Sequence, residues 1–73
     1  MLSDKQFRLK AKTLGIESIK GDRVPVYVPA DAIVEVTSGP TVHDIRTVQV
    51  RWSGRVLVMF LEDLRARGEE IQG

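Results

Sequence analysis

Apolar and polar residues alternate with a period of two along most of this chain. From Phe7 to Thr13, the residues Phe7, Leu9, Ala11 and Thr13 fall on one side and Arg8, Lys10 and Lys12 on the other. That pattern predicts a half-exposed strand. Leu14-Gly15-Ile16 breaks it, with Gly15 marking a bulge or bend, and Lys20-Gly21-Asp22 reads as a turn. Arg23 to Val28 alternates again, with Val24, Val26 and Val28 inward and Pro25 and Tyr27 outward. Pro25 has no N–H to donate, so this second strand is expected at a sheet edge. Ile33 to Thr37 forms the third strand, with Val34 and Val36 on one face. Arg46 to Trp52 forms the fourth, with Val48, Val50 and Trp52 inward. Ser53-Gly54 is a two-residue hairpin connection, the clearest local signal in the chain. Arg55 to Leu61 is the fifth strand, and its Val56-Leu57-Val58-Met59-Phe60 run is apolar on both faces. Glu62 to Arg67 reads as one or two helical turns, acids first and arginines last, with Gly68 as the stop. Residues 1–5 and 69–73 are expected to be loose termini.

Five short strands about ten residues apart, followed by a short C-terminal helix or 3-10 turn, predict a mainly β fold. An open sheet of this size leaves two edges and one naked face, which curling would bury. The expectation is one domain over residues 1–73, a small five-stranded SH3-like barrel. An OB-like barrel stands second, because nothing between Ser38 and Arg46 supplies the helix such folds carry.

Composition narrows the chemistry. The chain has 73 residues, 42% of them hydrophobic, no cysteine and one histidine. Disulfides, thiol nucleophiles and Cys-ligated zinc are therefore excluded, and no metal or cofactor is expected. A chain this short buries about 60% of its unfolded surface, so a partner subunit is a natural source of extra stability. The net charge is only +1. Its distribution is uneven: residues 1–25 carry six basic and three acidic side chains, and the remainder five and seven. No long apolar run or signal peptide appears, and a cytoplasmic location is expected.

Several motifs carry a resemblance. Thr13-Leu14-Gly15-Ile16-Glu17, Val28-Pro29-Ala30 and Thr37-Ser38-Gly39-Pro40 are followed by Trp52-Ser53-Gly54-Arg55, Met59-Phe60, Asp63-Leu64 and Arg67-Gly68-Glu69. In these the chain resembles short, uncharacterised bacterial SH3-like barrel proteins. The resemblance covers residues 11–71 and implies a fold and a bacterial source, without a site. Type II dihydrofolate reductases are a second, architectural comparison: they are similar in length, barrel-built, and tetrameric around a pore floored by Val-Gln-Ile-Tyr. Here Val48-Gln49-Val50 is followed by Arg51 in place of the tyrosine, which makes reductase activity a remote alternative.

No nucleophile–base pair, phosphate loop or zinc spacing stands out, so an enzyme is not expected. His43 and Asp44 read as solvated loop residues, and Glu62 and Asp63 as favourable charges in a first helical turn. Trp52 is in phase with Val48 and Val50 and is expected in the core. The main functional expectation is a binding module for a protein partner or for itself. Its contact surface is placed on Leu57, Met59, Leu61 and Leu64, the apparent second apolar face of the fifth strand. The alternative is weak nucleic-acid binding by a basic face of Arg8, Lys10 and Lys12 with Tyr27 as a stacking platform.

Overall fold

A computed structural model describes residues 4–71. Within them the chain forms β1 (Gln6–Leu9), β2 (Thr13–Ile19), β3 (Asp22–Val28), β4 (Ile33–Ser38), β5 (Thr47–Trp52), β6 (Arg55–Phe60), α1 (Leu61–Arg67) and β7 (Gly68–Ile71). All strand pairs are antiparallel and belong to one sheet, in the order β3-β2-β6-β5-β4-β1-β7. The mainly β expectation stands. The five-stranded closed barrel does not, because the sheet has seven strands and is open, with β3 and β7 at its edges.

Two local events account for the extra strands. The Phe7–Thr13 alternation is broken after Leu9, where Lys10 donates to the Arg67 carbonyl at 2.6 Å and Leu9 to the Ala32 carbonyl at 2.9 Å. The chain therefore leaves β1 and starts a new strand at Thr13, and Ala11 is exposed instead of inward. At the other end, residues 68–71 pair with β1 from Leu9↔Gly68 to Gln6↔Ile71. The tail expected to fray is thus a strand over those residues. Asp4 and Lys5 are also tied down, through Asp4 N–H to the Val36 carbonyl and Val36 N–H to the Lys5 carbonyl, each 2.8 Å. Residues 1–3 and 72–73 of the expected loose ends lie outside the described residues.

Both two-residue hairpins have positive φ at each central residue, 52° and 85° at Lys20-Gly21 and 51° and 75° at Ser53-Gly54. This geometry matches the twist of the flanking strands. It makes Ile19 and Asp22 a hydrogen-bonded pair, and alternation then points the backbone of Pro25 away from β2. The missing N–H of Pro25 therefore falls on the free edge of the sheet, where it costs no ladder bond and discourages strand addition.

One face of the sheet holds the core: Phe7, Leu9, Val28, Val34, Val36, Val48, Val50, Leu57 and Met59, capped by Leu61 and Leu64 of α1. Trp52 packs partly buried against this cluster, as its phase predicts. The helix starts directly after β6, with Leu61 N–H bonded to the Arg46 carbonyl at 2.7 Å, and it contacts β1, β2, β6 and β7. Its acids, Glu62 and Asp63, sit in the first turn, and Arg65 and Arg67 in the last, complementing the helix dipole. No helix is long and apolar enough to cross a membrane among the described residues.

Candidate functional site

The residues expected to form the contact surface are core residues. Leu57, Met59 and Leu64 have no exposed surface and Leu61 retains 8%. The helix does cover the Leu57/Met59 face, and by doing so makes that face the inside of the protein. This corrects the expected surface by one residue along β6: the outward side chains are Val56, Val58 and Phe60, exposed by 49%, 38% and 42%. A two-residue hairpin could have set the phase from sequence. Directly paired residues share a face, so the inward Val48 and Val50 oblige their partners Met59 and Leu57 to point inward too.

The outward face of β6 continues onto its neighbours. Ile16 of β2 pairs with Val58 on one side and with Pro25 of β3 on the other. Leu14 pairs with Tyr27. Across β5 the neighbours become polar: Phe60 pairs with Thr47, Val58 with Gln49, and Val56 with Arg51. The result is an apolar block on three adjacent strands, made of Leu14, Ile16, Pro25, Tyr27, Val56, Val58 and Phe60. Leu14 and Ile16 are half-buried by their neighbours, while Pro25 and Tyr27 are exposed. Arg23, level with Ser18, and Arg51, level with Val56, border one end of the block. Arg51 is ion-paired with Glu35 of β4.

A wall rises beside Phe60. The loop before β5 is held by reciprocal backbone bonds between Thr41 and Asp44 (2.9 and 3.2 Å) and by the Asp44 carboxylate. That carboxylate accepts from the Thr47 hydroxyl at 2.7 Å, the Arg46 N–H at 2.9 Å and the Thr47 N–H at 3.3 Å. The loop so fixed presents Val42 and Ile45 to solvent. Between it and the helix runs an open groove of about 700 Å³, with Ile45, Phe60 and Ala66 in its apolar lining and Arg46, Arg65, Glu62 and Asp63 around them. Among the described residues, the hydrogen bonds to the Asp44 carboxylate come from Arg46 and Thr47, and none comes from the neighbouring His43, which is exposed.

The hydrogen bond from Thr47, followed by that from the Arg46 backbone, holds the Asp44 carboxyl below the ordinary aspartate range. The Arg55 side chain does the same for Glu17, donating to it at 2.5 and 3.3 Å. A carboxyl whose pKa is depressed by folding stabilises the fold above its unfolded pKa and loses that contribution as pH falls through the folded value. Thr47→Val is expected to move the Asp44 titration, followed by NMR, up toward the ordinary aspartate value. It should also flatten the acid side of the stability–pH curve. An unchanged Asp44 midpoint would show that the Thr47 hydroxyl does not hold the loop.

The basic set is only partly assembled. Lys12 and Tyr27 come together, with the ammonium 5.2 Å from the ring centroid. A cation at this distance interacts with the ring face and occupies one side of the expected stacking platform. Arg8 is elsewhere, on β1, level with Ile33 of β4 and Glu69 of β7. Lys10 lies in the exposed bend after β1. The hairpin expected to carry all four residues is instead β2–β3, which starts at Thr13. Glu62 and Asp63 sit in the first helical turn, and Gln49 of the Val48-Gln49-Val50 stretch faces outward, accepting from the Thr37 and Ser38 hydroxyls at 3.2 and 3.4 Å. No cluster of three or more His, Asp and Glu comes together among the described residues.

Comparison of the chain with protein-family models, curated proteins and solved structures finds no match.

Proposed function

We propose that this protein is a binding module that docks a protein partner on the outward face of β2, β3 and β6. The observation that supports the reading is the uncovered block around Val58. Apolar side chains on adjacent strands of one face form a continuous patch, and contiguous exposed apolar patches mark interaction surfaces. Aromatic residues enrich such surfaces, and here Tyr27 and Phe60 flank it. The same reading keeps the SH3-like comparison as a proposal.

Small apolar probes test the surface without knowledge of the partner. In amide NMR spectra, phenol or isopropanol is expected to shift signals of Ile16, Val58, Phe60 and Ile45 selectively. Val58→Lys should abolish that response while leaving the rest of the spectrum in place, because a half-exposed strand position away from the core tolerates substitution within about 0.5 kcal/mol. Probe shifts scattered over the surface, or concentrated elsewhere, would overturn the reading.

A further inference from the structure

We propose that the turn Thr41–Ile45 is a hinged wall of the groove, able to swing away from β5 as a unit while the sheet stays folded, with the Asp44 carboxylate as its latch.

The core does not hold this turn. Every residue from 40 to 46 is exposed, and none belongs to the buried cluster. Opening the turn therefore uncovers no interior, and a segment with few buried contacts and exposed hydrogen bonds opens well below the cost of global unfolding. Its two ends, in contrast, are pinned. At one end Gly39 adopts a φ of +88°, and a Cβ there would stand 3.1 Å from the Thr47 carbonyl oxygen and 3.3 Å from the Val48 Cα. The backbone of Gly39 thus lies directly on β5. At the other end the Arg46 carbonyl accepts from the Leu61 N–H at 2.7 Å.

Between the pins the turn is closed on itself. Thr41 and Asp44 exchange backbone bonds of 2.9 and 3.2 Å, and the Thr41 hydroxyl also accepts from the Asp44 N–H at 3.1 Å. These bonds lie within the turn, so they keep its shape and carry it as one body. Its hold on β5 is a single carboxylate. One Asp44 oxygen accepts from the N–H groups of Arg46 and Thr47, and the other from the Thr47 hydroxyl. Bonds to an ionised acceptor are about twice as strong as neutral ones, which lets one exposed side chain fasten a turn that buries nothing. Ile45 lines the groove together with Phe60 and Ala66, so the latch sets how wide the groove stands.

The charges around the latch are few. Arg46 attracts the carboxylate, and His43 is its neighbour in the chain without bonding it. From β5 and β6 the recesses beside the turn receive only the neutral Gln49, Val58 and Phe60 besides Thr47 and Val48. Across the groove α1 sets Glu62, Asp63 and Arg65. Protonation of Asp44 turns its charge-assisted bonds into neutral ones, so the latch loosens as pH falls through the Asp44 titration. The oxygen that still accepts keeps the loosening partial.

Amide hydrogen exchange in the intact chain, followed by NMR, tests the hinge. The N–H groups of Arg46 and Thr47 are expected to exchange through an opening with a shallow urea dependence, because little surface is exposed. Val50 and Leu57 should exchange only through steep, global unfolding. Asp44→Ala should cut protection of the Arg46 and Thr47 amides at least about tenfold, the scale of one charge-assisted hydrogen bond, with Val50 and Leu57 unchanged. Asp44→Asn keeps an oxygen acceptor and should fall between. From about pH 7 to about pH 2, a span that brackets ordinary carboxyls, protection corrected for the intrinsic exchange rate should decline with the Asp44 titration. His43→Gln should leave that profile in place. Arg46 and Thr47 amides that share the urea dependence of Val50 overturn the hinge, because the turn then opens only with the whole sheet. Retained protection in Asp44→Ala overturns the latch. A profile that His43→Gln displaces overturns Asp44 as the group that controls it.

Discussion

Met59→Lys is expected to leave the chain unfolded at 25 °C. Met59 is fully buried in the core cluster that also holds Val48, Leu57 and the helical Leu61 and Leu64. The substitution removes about 1.5–3 kcal/mol of apolar burial. It also places an ammonium in the same space, where burial depresses lysine by up to about 3–5 pKa units and each unit costs about 1.4 kcal/mol. Together these approach or exceed the roughly 4–11 kcal/mol that a chain of 73 residues holds at about 0.05–0.15 kcal/mol per residue. Val58→Lys, one residue away, is the control. It points outward, and its circular dichroism and melting are expected to follow the wild type. Equal melting curves for Met59→Lys and the wild type would show that β6 does not have the facing described above. Loss of self-association in Met59→Lys alone would therefore say nothing about an interface.

Gly68→Ala is the second large effect. Gly68 ends α1 and opens β7, and its N–H bonds back to the Leu64 carbonyl. Its backbone is ordinary extended chain, φ −112° and ψ 158°, so conformational freedom is not the reason for glycine here. Space is. A Cβ at this position would stand 2.5 Å from the Leu64 carbonyl oxygen, a backbone atom that has no rotamer to yield. Relieving the contact means shifting the last turn of the helix against β1 and the core. Overpacking of this kind costs about 1–3 kcal/mol, which lowers the melting temperature by roughly 4–24 °C for a domain of this size. Gly15→Ala makes a useful contrast, since its Cβ would meet Leu57 Cδ1 at 3.1 Å and Leu57 Cβ at 3.3 Å, tight contacts with a side chain and not an overlap with backbone. It should cost less. A Gly68→Ala protein as stable as the wild type would show that the helix-to-β7 junction has slack.

The exposed ion pairs do not carry comparable weight. Lys5–Glu70 and Arg55–Glu17 have side chains that remain partly in water, where such pairs contribute about 0–1 kcal/mol each. They tie the residue before β1 to β7 and β2 to β6 at the surface. Burial of the eleven apolar side chains of the core stabilises the fold far more.

Alternation along Val24–Val28, Val34–Val36 and Val48–Trp52 correctly predicts inward and outward sides, because a period of two is a property of the strand itself. The two-residue turn at Ser53-Gly54, the edge position of Pro25 and the charge order of the helix were equally legible, each for a local stereochemical reason. The two added strands were not. The break after Leu9 depends on hydrogen bonds to Ala32 and Arg67, and β7 exists because residues 68–71 find β1 some sixty residues earlier in the chain. The candidate site failed for a related reason. Val56–Phe60 is apolar on both faces, so its own pattern is silent about facing; the phase lies in the Ser53-Gly54 hairpin, which sets Leu57 and Met59 opposite the inward Val50 and Val48. Sequence alone thus determined that this chain is a small β protein with a doubly apolar strand after the Ser53-Gly54 turn. Tertiary structure decided what lies over the Leu57 and Met59 side, the α1 residues Leu61 and Leu64, and that Val56, Val58 and Phe60 stay exposed, because cover is supplied by what packs across the sheet and not by the strand's own residues.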